Sequence, residues 1–318
     1  MAEKQSFSMR VKQEAQERIS SRRHCVLAEL AGLIILSETE FVDGKLKIFF
    51  ENPCCAKKCF TLLKKTFNID LAVCVIRHSG RGQKMRYAIG ITGRENVREV
   101  LEALKLEPGD KTVNELLLYK SCCKRAFIRG CFLAAGSVTD PSKSYHLEIV
   151  TGNEEMAAQL CRAVDTFSES GEQAARYILR KRSSVKDCYV MYLKEGNHIS
   201  DFLNVIETYR SLMEMENVRV NKEIANSLNR AQNCEMANMV KTISAGLDQC
   251  EDIELIASKI GLESLSGELY DVARLRLQYP DMPLRELGEM LNPPTGKSGV
   301  NHRLRKIKRI AQELRNDL

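Results

Sequence analysis

The side chains best suited to specific chemistry lie in a basic segment near the C-terminus. Between Gly296 and Arg309 the sequence has six basic residues and no acidic residue. Asn301 and Arg305 suit base edges, because an amide pairs bidentately with adenine and a guanidinium with guanine. Arg303, Lys306, Lys308 and Arg309 suit phosphates, which hold a duplex without reading its sequence. The predicted DNA-contacting set is Lys297, Ser298, Asn301, His302, Arg303, Arg305, Lys306, Lys308 and Arg309; a merely solvated basic face is the alternative.

One amphipathic helix is needed to present this set. Apolar residues recur at spacings of three and four and form a stripe made of Val300, Leu304, Ile307, Ala311 and Leu314. The pattern predicts a helix from about Ser298 toward Leu314, with Ser298 as its N-cap. A short helix from Leu284 to about Leu291 precedes it, and a double-proline turn separates the two. Short helix, turn and basic helix form the helix-turn-helix arrangement. Two further helices are predicted upstream, beginning at Glu251 and Gly267.

The composition is that of a globular chain of about two domains. Of 318 residues, 44% are hydrophobic and 28% are charged, and the net charge is +6. Residues 283–318 have eight basic and four acidic residues, so +4 of this charge is concentrated there, which favours a polyanionic partner. No apolar run fits a membrane span and no signal peptide is recognisable, and twelve cysteines suggest a reducing compartment. We therefore expect a cytoplasmic, nucleoid-associated protein without membrane contact.

The rest of the chain contains an internal repeat at an offset of about 98 to 103 residues. The sequence AELAGLI at Ala28–Ile34 is matched by AFIRGCF at Ala126–Phe132, and the alternating pattern from Val75 is matched from Tyr177. Each half is predicted to run helix, one or two strands, helix, strand, strand, helix. Because only two copies exist, we expect an α+β pseudo-dimer whose twofold axis is internal, and hence a monomer.

Small residues recur at equivalent positions of the first helix in each half. Ala28 and Gly32 lie four residues apart, as do Ala126 and Gly130. Residues at this spacing share one helix face, and small ones let two helix backbones approach closely. A glycine inside a helix costs roughly 1 kcal/mol relative to alanine, so we expect the two helices to pack together through these positions.

The quoted motifs resemble those of a known family. AELAGLI and, in the second half, FIRGCFLAAG resemble the paired motifs of LAGLIDADG homing endonucleases. Together with the C-terminal string NPPTGKSGVNHRLRKI from Asn292, nearly the whole chain resembles the WhiA family of bacterial regulators. The resemblance implies a pseudo-twofold LAGLIDADG homing-endonuclease-like α+β domain followed by an all-α helix-turn-helix domain. It also implies transcriptional regulation at promoter DNA, linked to cell division and sporulation in Gram-positive bacteria.

Nuclease activity is not expected, although the resemblance includes nucleases. In those enzymes each motif helix ends with a carboxylate that binds a divalent metal ion, which must activate water at the scissile phosphate. Alignment puts Ser37 and Ala135 at these positions, and neither supplies a carboxylate. Glu38 and Glu40 lie close in the first half, but in the second half no acid lies between Ala135 and Asp140. Two alternatives remain: an active metal-dependent endonuclease, and a protein-recruiting module that binds DNA only nonspecifically.

Cysteine and histidine spacing predicts neither a metal site nor a cofactor. The cysteines at positions 54, 55 and 59 and the adjacent Cys122 and Cys123 are not C-x-x-C pairs, and no histidine completes a zinc pattern along the chain. We expect buried thiols. Cys25 and Cys123 are equivalent in the two repeats, so packing of the motif helices would bring their thiols close enough for an adventitious or redox-sensitive contact.

These patterns give five segments. We expect an N-terminal helical arm at 1–20, repeats at 21–106 and 107–208, a helical linker at 209–240 and the helix-turn-helix domain at 241–318. Six asparagines between positions 217 and 238 suggest either a polar contact face or a solvated connecting helix. Basic residues flank the predicted hairpins and could contact DNA, with solvated hairpin tips as the alternative: Lys84, Arg86, Arg180, Lys181, Arg182 and Lys186. The N-terminal domain could instead bind a protein partner or a small molecule.

Overall fold

Two consecutive segments fold into the same order of helices and strands, after a first helix α1 (Phe7–Glu17). The computed structural model describes residues 5–77, 85–168, 173–181 and 187–316. The first repeat contains α2 (Arg23–Ile35), β1 (Glu38–Val42), β2 (Lys45–Phe50), α3 (Pro53–Phe67), β3 (Leu71–Arg77), β4 (Met85–Ile91) and α4 (Arg94–Leu104). The second contains α5 (Ser121–Ala135), β5 (Gly136–Val138), β6 (Leu147–Thr151), α6 (Glu154–Asp165), β7 (Arg176–Arg180), β8 (Cys188–Leu193) and α7 (Gly196–Val205). The predicted α+β duplication is confirmed.

Each repeat forms one antiparallel sheet of four strands. The strand order is β1-β2-β4-β3 in the first sheet and β5-β6-β8-β7 in the second. Period-two alternation sets which face is buried: in β2, Leu46, Ile48 and Phe50 are buried, whereas Lys45 and Lys47 are exposed. Because the order is the same in both sheets, equivalent helices α2 and α5 enter the core at equivalent positions.

The helices α2 and α5 pack directly against each other through the small residues of the motifs. A Cβ atom on Gly32 would lie 2.7 Å from the carbonyl oxygen of Phe127, and one on Gly130 would lie 2.2 Å from the carbonyl oxygen of Glu29. Both distances are shorter than any normal carbon–oxygen contact, so only glycine fits at either position. The alanines four residues earlier are buried in the same contact. The predicted close packing is confirmed.

A buried ion network lies beside this contact. The carboxylate of Glu29 accepts two hydrogen bonds of 3.0 Å from the guanidinium of Arg129. The ammonium of Lys58 lies 2.9 Å from the same carboxylate, and it also donates to the carbonyl of Ala15 at 3.2 Å. Burial lowers the pKa of Lys58, and the nearby Glu29 charge opposes that shift. The network joins α2, α3 and α5 in the centre of the core.

A single helix, α8, runs from Tyr209 to Lys259. The chain divides within it into two compact units, residues 1–222 and 223–318. The prediction of a separate helix beginning at Glu251 is wrong, because that segment is the last part of α8. No proline interrupts α8, and its asparagines and Gly246 each cost at most about 1 kcal/mol of helix propensity. All six asparagines between positions 217 and 238 are exposed.

The N-terminal helix α1 belongs to the core of the first unit. Phe7 and Val11 on its apolar face are buried. Its Glu14 is 8% exposed and accepts hydrogen bonds from the backbone N–H groups of Arg210 at 2.8 Å and Ser211 at 3.0 Å. These N–H groups are at the start of α8, where no helical partner exists for them. α1 therefore caps the beginning of α8.

The second unit is entirely helical in its described part. After the end of α8 it contains α9 (Gly267–Gln278), α10 (Leu284–Glu289) and α11 (Lys297–Asn316). Its core is formed by Ile253, Ile256, Leu265, Val272, Ala273, Leu275, Leu287, Leu291, Val300, Leu304, Ile307 and Ala311. None of the helices within the described ranges combines the length and hydrophobicity needed to cross a bilayer.

Candidate nucleic-acid interface

The helix α11 buries one face and exposes the other. Val300, Leu304, Ile307 and Ala311 are each at most 4% exposed, and they pack with residues of α9 and α10. Leu314, the last residue of the predicted stripe, is half-buried. The buried positions recur at spacings of four, three and four, as expected for a single stripe along an amphipathic helix. The predicted apolar stripe is therefore confirmed.

The connection between α9 and α10 is organised by a buried arginine. Arg276 is 1% exposed, and its Nη1 donates hydrogen bonds to the backbone carbonyls of Tyr279 at 3.1 Å, Pro280 at 3.2 Å and Met282 at 2.8 Å. Burial lowers the pKa of Arg276. Three carbonyls that converge on one cation hold the loop in a single shape, which sets how α10 leaves α9.

The turn between α10 and α11 depends on a close backbone approach. The backbone N–H of Thr295 donates to the carbonyl of Gly288 at 2.9 Å. A Cβ on Gly288 would lie 2.0 Å from the carbonyl oxygen of Thr295, so only glycine allows this contact. The peptide bond between Asn292 and Pro293 in this turn is cis. Gly288 therefore lets the seven-residue turn bring α11 back against α10.

The start of α11 differs from the prediction. The helix begins at Lys297, and the N–H of Val300 donates to the carbonyl of Gly296 at 3.1 Å. Gly296 therefore occupies the capping position, and Ser298 lies inside the first turn. The assignment of Ser298 as N-cap is wrong. The preceding glycine can also occupy a cap, and the longer helix leaves the Ser298 side chain exposed.

Most of the predicted DNA-contacting residues are exposed on α11. The exposed members of the set are Lys297, Ser298, His302, Arg305, Lys306, Lys308 and Arg309, and Asn301 is half-buried. Within the described ranges, no ion pair involves Lys297, Arg305, Lys306, Lys308 or Arg309. This face therefore brings together cations with which no carboxylate of the described residues forms an ion pair, and one amide lies beside them.

Arg303 differs from its neighbours. Its side chain is only 18% exposed, and its Nη2 lies 3.3 Å from a carboxylate oxygen of Glu268 on α9. At the other end of α11, Arg315 pairs with the nearly buried Asp252 of α8 at 2.9 Å. Both arginines thus hold α11 in place within the unit. The structure gives Arg303 a positioning contact, which the sequence pattern did not indicate.

In the first unit, the nuclease positions have no paired carboxylates. Ser37 and Ala135 both line one cavity of about 530 Å³, and the hydroxyl of Ser37 donates to the carbonyl of Leu33 at 2.6 Å. Glu38 also lines the cavity, but it is paired with Arg86 at 2.5 Å. Glu40 is paired with Lys47 at 3.3 Å. Glu38 and Glu40 are therefore each paired with a cation. Glu51 also lines the cavity, and its charge acts on the nearby Lys12.

A further cation reaches this cavity. Lys12 of α1 is among its lining residues and donates to the carbonyl of Leu133 at 3.0 Å. Burial lowers the pKa of Lys12, although neighbouring groups oppose the shift. An ammonium group opposes the binding of a second cation at short range. At the two motif positions the cavity therefore has Ser37 and Ala135 in place of carboxylates, and the ammonium of Lys12 also lines it.

Of the six basic residues that flank the hairpins, three lie within the described ranges. Arg86 pairs with Glu38, and Arg180 pairs with Glu148 at 2.6 Å. Lys181 is exposed. The others, Lys84, Arg182 and Lys186, lie outside the described residues. Arg86 and Arg180 are thus engaged within their own sheets, which agrees with the alternative of ordinary solvated hairpins better than with free DNA-contacting cations.

These observations define a class: a duplicated LAGLIDADG-like α+β domain followed by a helix-turn-helix domain. Three profiles match along the chain: the WhiA N-terminal LAGLIDADG-like domain at residues 23–107, the WhiA LAGLIDADG-like domain at 124–225 and the WhiA C-terminal HTH domain at 228–311. The chain belongs to the WhiA family.

Relatives are similar to this chain over nearly its full length. The probable cell division protein WhiA of Lachnoclostridium phytofermentans is 44% identical over 322 residues, covering 98% of this chain and 99% of the relative. The protein of the same name from Clostridium novyi is 41% identical over 323 residues, with 98% and 99% covered. The crystal structure of full-length DUF199/WhiA from Thermatoga maritima has a TM-score of 0.59 at 25% identity, covering 97% of this chain and 99% of that one.

Proposed function

We propose that this protein is a sequence-specific DNA-binding transcriptional regulator linked to cell division and sporulation, which acts on promoter DNA in the cytoplasm at the nucleoid. Membership of the WhiA family and the cell-division names of its relatives support the biological setting. The match to a helix-turn-helix domain supports DNA as the binding partner. In this proposal the first unit is a nuclease-like scaffold without catalytic activity, and the working protein is a monomer.

The observation that carries the proposal is the pair of opposite faces on α11. One face is buried against α9 and α10, so the helix has a fixed orientation. The other exposes Lys297, Arg305, Lys306, Lys308 and Arg309 without ion pairs in the described part of the chain. In helix-turn-helix proteins the second helix lies in the major groove, with its N-terminal residues at the base edges. The unpaired cations of α11 match the phosphates that border such a groove.

Within this face we assign base reading to Asn301 and Arg305 and phosphate contacts to the other basic residues. Asn301 and Arg305 are four positions apart, so they share one side of α11. Their amide and guanidinium groups suit adenine and guanine edges. Phosphates are suited by the ammonium groups of Lys306 and Lys308 and by the guanidinium of Arg309. Arg303 is the exception: its pair with Glu268 supports a positioning role.

The first unit is proposed to be catalytically inactive. Metal-dependent phosphodiester cleavage needs hard oxygen ligands that place the ion and activate water. The equivalent positions hold Ser37 and Ala135. Of the two acids that line the cavity, Glu38 is paired with Arg86, and Glu51 lies on one side only, near Lys12. Lys12 adds a positive charge to the same cavity. These features support a scaffold, and cleavage of DNA in the presence of Mg²⁺ is the contrary outcome.

We also propose a division of labour along the chain. Residues 1–20 brace the scaffold, repeats 21–106 and 107–208 form it, residues 209–240 connect it, and residues 241–318 bind DNA. A protein partner is proposed for the scaffold, because apolar side chains on edge strands are exposed there. Val73 and Val75 of β3 are each 55% exposed, and Ile178 of β7 is 50% exposed. Unpaired apolar edge strands of this kind can accept another chain.

One binding experiment tests the proposal. The full-length protein is mixed with fluorescent genomic promoter fragments and with shuffled DNA of equal length, at about 50 and 200 mM salt, in the presence of Mg²⁺. We expect tighter binding to a subset of fragments, weaker binding at the higher salt, and intact DNA. Cut DNA would show an active nuclease. Equal affinity for all fragments would reject sequence-specific recognition, and the absence of binding would leave the protein-recruiting alternative.

A further inference from the structure

Four potential metal ligands meet where the two motif helices begin. His24 and Cys25 lie in the first turn of α2, and Cys122 and Cys123 lie in the first turn of α5. One ligand atom from each residue can be chosen so that all four lie within 4.8 Å of one another. The residues are equivalent in pairs, since position 24 matches 122 and position 25 matches 123 at the repeat offset of the motifs. The cluster therefore lies on the internal twofold axis.

The distances suit a tetrahedral ion. The Nδ1 atom of His24 lies 3.1 Å from the sulfur of Cys123 and 3.3 Å from that of Cys25. Zinc binds sulfur at about 2.3 Å and imidazole nitrogen at about 2.0–2.1 Å, so tetrahedral ligand atoms are separated by roughly 3.5–3.8 Å. Small side-chain rotations would open the observed spacing to that range. One ligand atom of each of the four side chains already lies within 4.8 Å of the others.

Burial raises the pKa of the Cys25 thiol to about 12 and also raises that of Cys123, so a bound metal ion would be what converts these groups to thiolates. Cys25 and Cys123 are each 4% exposed, whereas His24 and Cys122 are half-buried. The N-terminal ends of α2 and α5 both face the cluster, and their partial positive charges favour thiolates. Arg22 lines the same cavity as Cys25 and Cys122. One zinc ion with three thiolates and a neutral imidazole has a net charge of about −1, which Arg22 can balance.

The cluster can be reached from solvent. A cavity of about 350 Å³ is lined by Cys25, Cys122 and Arg22, among others. It provides an entry path to the sulfurs without unfolding of the helix pair. This site is separate from the degenerate nuclease cavity, which lies beyond the opposite ends of α2 and α5. Since 13 residues separate His24 from Ser37, the two sites are about 20 Å apart along α2.

We propose that His24, Cys25, Cys122 and Cys123 bind one zinc ion that joins the N-termini of the two motif helices. Three soft sulfur ligands and one imidazole select zinc over the hard cations that nucleases use. With four protein ligands no coordination position remains open, so the ion is structural. It would link the two repeats at one end of the α2–α5 contact, whereas Gly32 and Gly130 allow the close backbone approach further along the two helices. A disulfide would use only two of the four groups and leave His24 unexplained.

The test uses the full-length protein, purified with a reductant and without chelators. Metal content per chain is measured by mass spectrometry after exposure to Zn²⁺ and desalting. The metal-free protein is then titrated with Co²⁺, whose absorption reports tetrahedral thiolate coordination. Cys122→Ser and the double variant Cys25→Ser/Cys123→Ser remove ligands. The matched control is Cys74→Ser, because Cys74 is exposed and outside the cluster. Circular dichroism checks that each variant is folded.

We expect one zinc per chain and a thiolate-to-cobalt absorption band that Zn²⁺ abolishes. Cys122→Ser should lower Zn²⁺ affinity by at least tenfold and the double variant should abolish stoichiometric binding, with Cys74→Ser unchanged. The wild-type cobalt spectrum keeps the test decisive even where a variant does not fold. The proposal is overturned by a wild-type protein that keeps no zinc after desalting, by a cobalt spectrum without thiolate character, or by undiminished binding in the folded double variant. Protection of two of these cysteines from alkylation unless a reductant is added would identify a disulfide instead, and would also overturn it.

Discussion

The α2–α5 pair and α11 both contain charged side chains, but those at the pair are buried in ion pairs and most of those on α11 are exposed to solvent. At the pair, Glu29 of α2, Arg129 of α5 and the neighbouring Lys58 of α3 are buried, and each charge has an opposite charge at about hydrogen-bond distance. On α11 the described cations Arg305 and Lys306 are exposed, and no carboxylate in the described ranges pairs with them. Charges that stabilise a fold are neutralised internally, whereas charges reserved for a ligand are left open to solvent.

Position in the fold explains the difference. α2 and α5 are surrounded by protein, and an uncompensated charge there would cost several kcal/mol. α11 packs on one side only, so a basic residue on its outer face costs little in the absence of DNA. Repulsion among these cations is screened by salt over about 10 Å. The two regions therefore respond differently to substitution: the first should lose stability, and the second should lose binding.

The largest effect is expected from Glu29→Leu. The substitution leaves Lys58 and Arg129 buried without their shared partner, so we expect the free energy of unfolding of the first unit to fall by about 3–5 kcal/mol. Urea unfolding followed by circular dichroism measures it. Glu155→Gln is the matched control, because Glu155 pairs with Lys111 at 2.7 Å at the surface, and a fully exposed ion pair contributes little to stability. Equal losses for the two variants would contradict the argument.

A smaller loss of stability is expected from Gly130→Ala. The added Cβ would lie 2.2 Å from the backbone carbonyl oxygen of Glu29, and a backbone atom cannot move aside without shifting α2. Overpacking of this kind typically costs about 1–3 kcal/mol. Gly152→Ala is the control, since a Cβ there meets no atom within 4 Å. An unchanged thermal midpoint for Gly130→Ala would show that the two helices are not in close contact.

The sequence predicted much of this contrast because the small residues of α2 and α5 and the apolar stripe of α11 both recur at helical spacing. The spacing of Ala28 and Gly32, repeated about 98 residues later, indicated a close helix contact, and the stripe from Val300 to Ala311 indicated the buried face of α11. Periodicity reports which face of an element is apolar. It therefore predicted the α+β duplication, the order of helices and strands along each half and the exposed basic face, but not the order of the strands within each sheet.

Pairings between distant residues could not be predicted in the same way. Glu29 and Lys58 looked like ordinary charged residues, because their burial depends on the packing of three helices. Arg276 and Arg303 likewise gave no signal that one holds a loop and the other contacts Glu268. The group at His24 and Cys122 was missed because zinc spacing was sought along the chain, whereas the ligands come from two helices. The offset of the repeat was the one signal that could have joined them.

On the exposed basic face of α11, the larger effect on DNA affinity is expected from Arg305→Ala. An arginine that reads guanine contributes about 1–3 kcal/mol to discrimination, so affinity for the preferred DNA should fall by that amount while binding to shuffled DNA changes little. Asn301→Ala should behave similarly at an adenine. Competition binding with the preferred and shuffled fragments measures both. An equal loss on both kinds of DNA would mean that these residues contact phosphates and do not read bases.

The smallest effect is expected from Lys306→Ala, and it should differ in kind. A lysine that neutralises one phosphate contributes to all DNA sequences alike, so specificity should be unchanged. Loss of one such contact should reduce the slope of log affinity against log salt by about 1. Fluorescence anisotropy at several salt concentrations measures that slope. Lys241→Ala is the control, because Lys241 is an exposed lysine on α8 outside the face of α11. If both variants flatten the slope equally, α11 is not a specialised DNA-binding surface, because any exposed lysine of the chain would contribute as much. The contrast with the α2–α5 pair would then be one of burial alone.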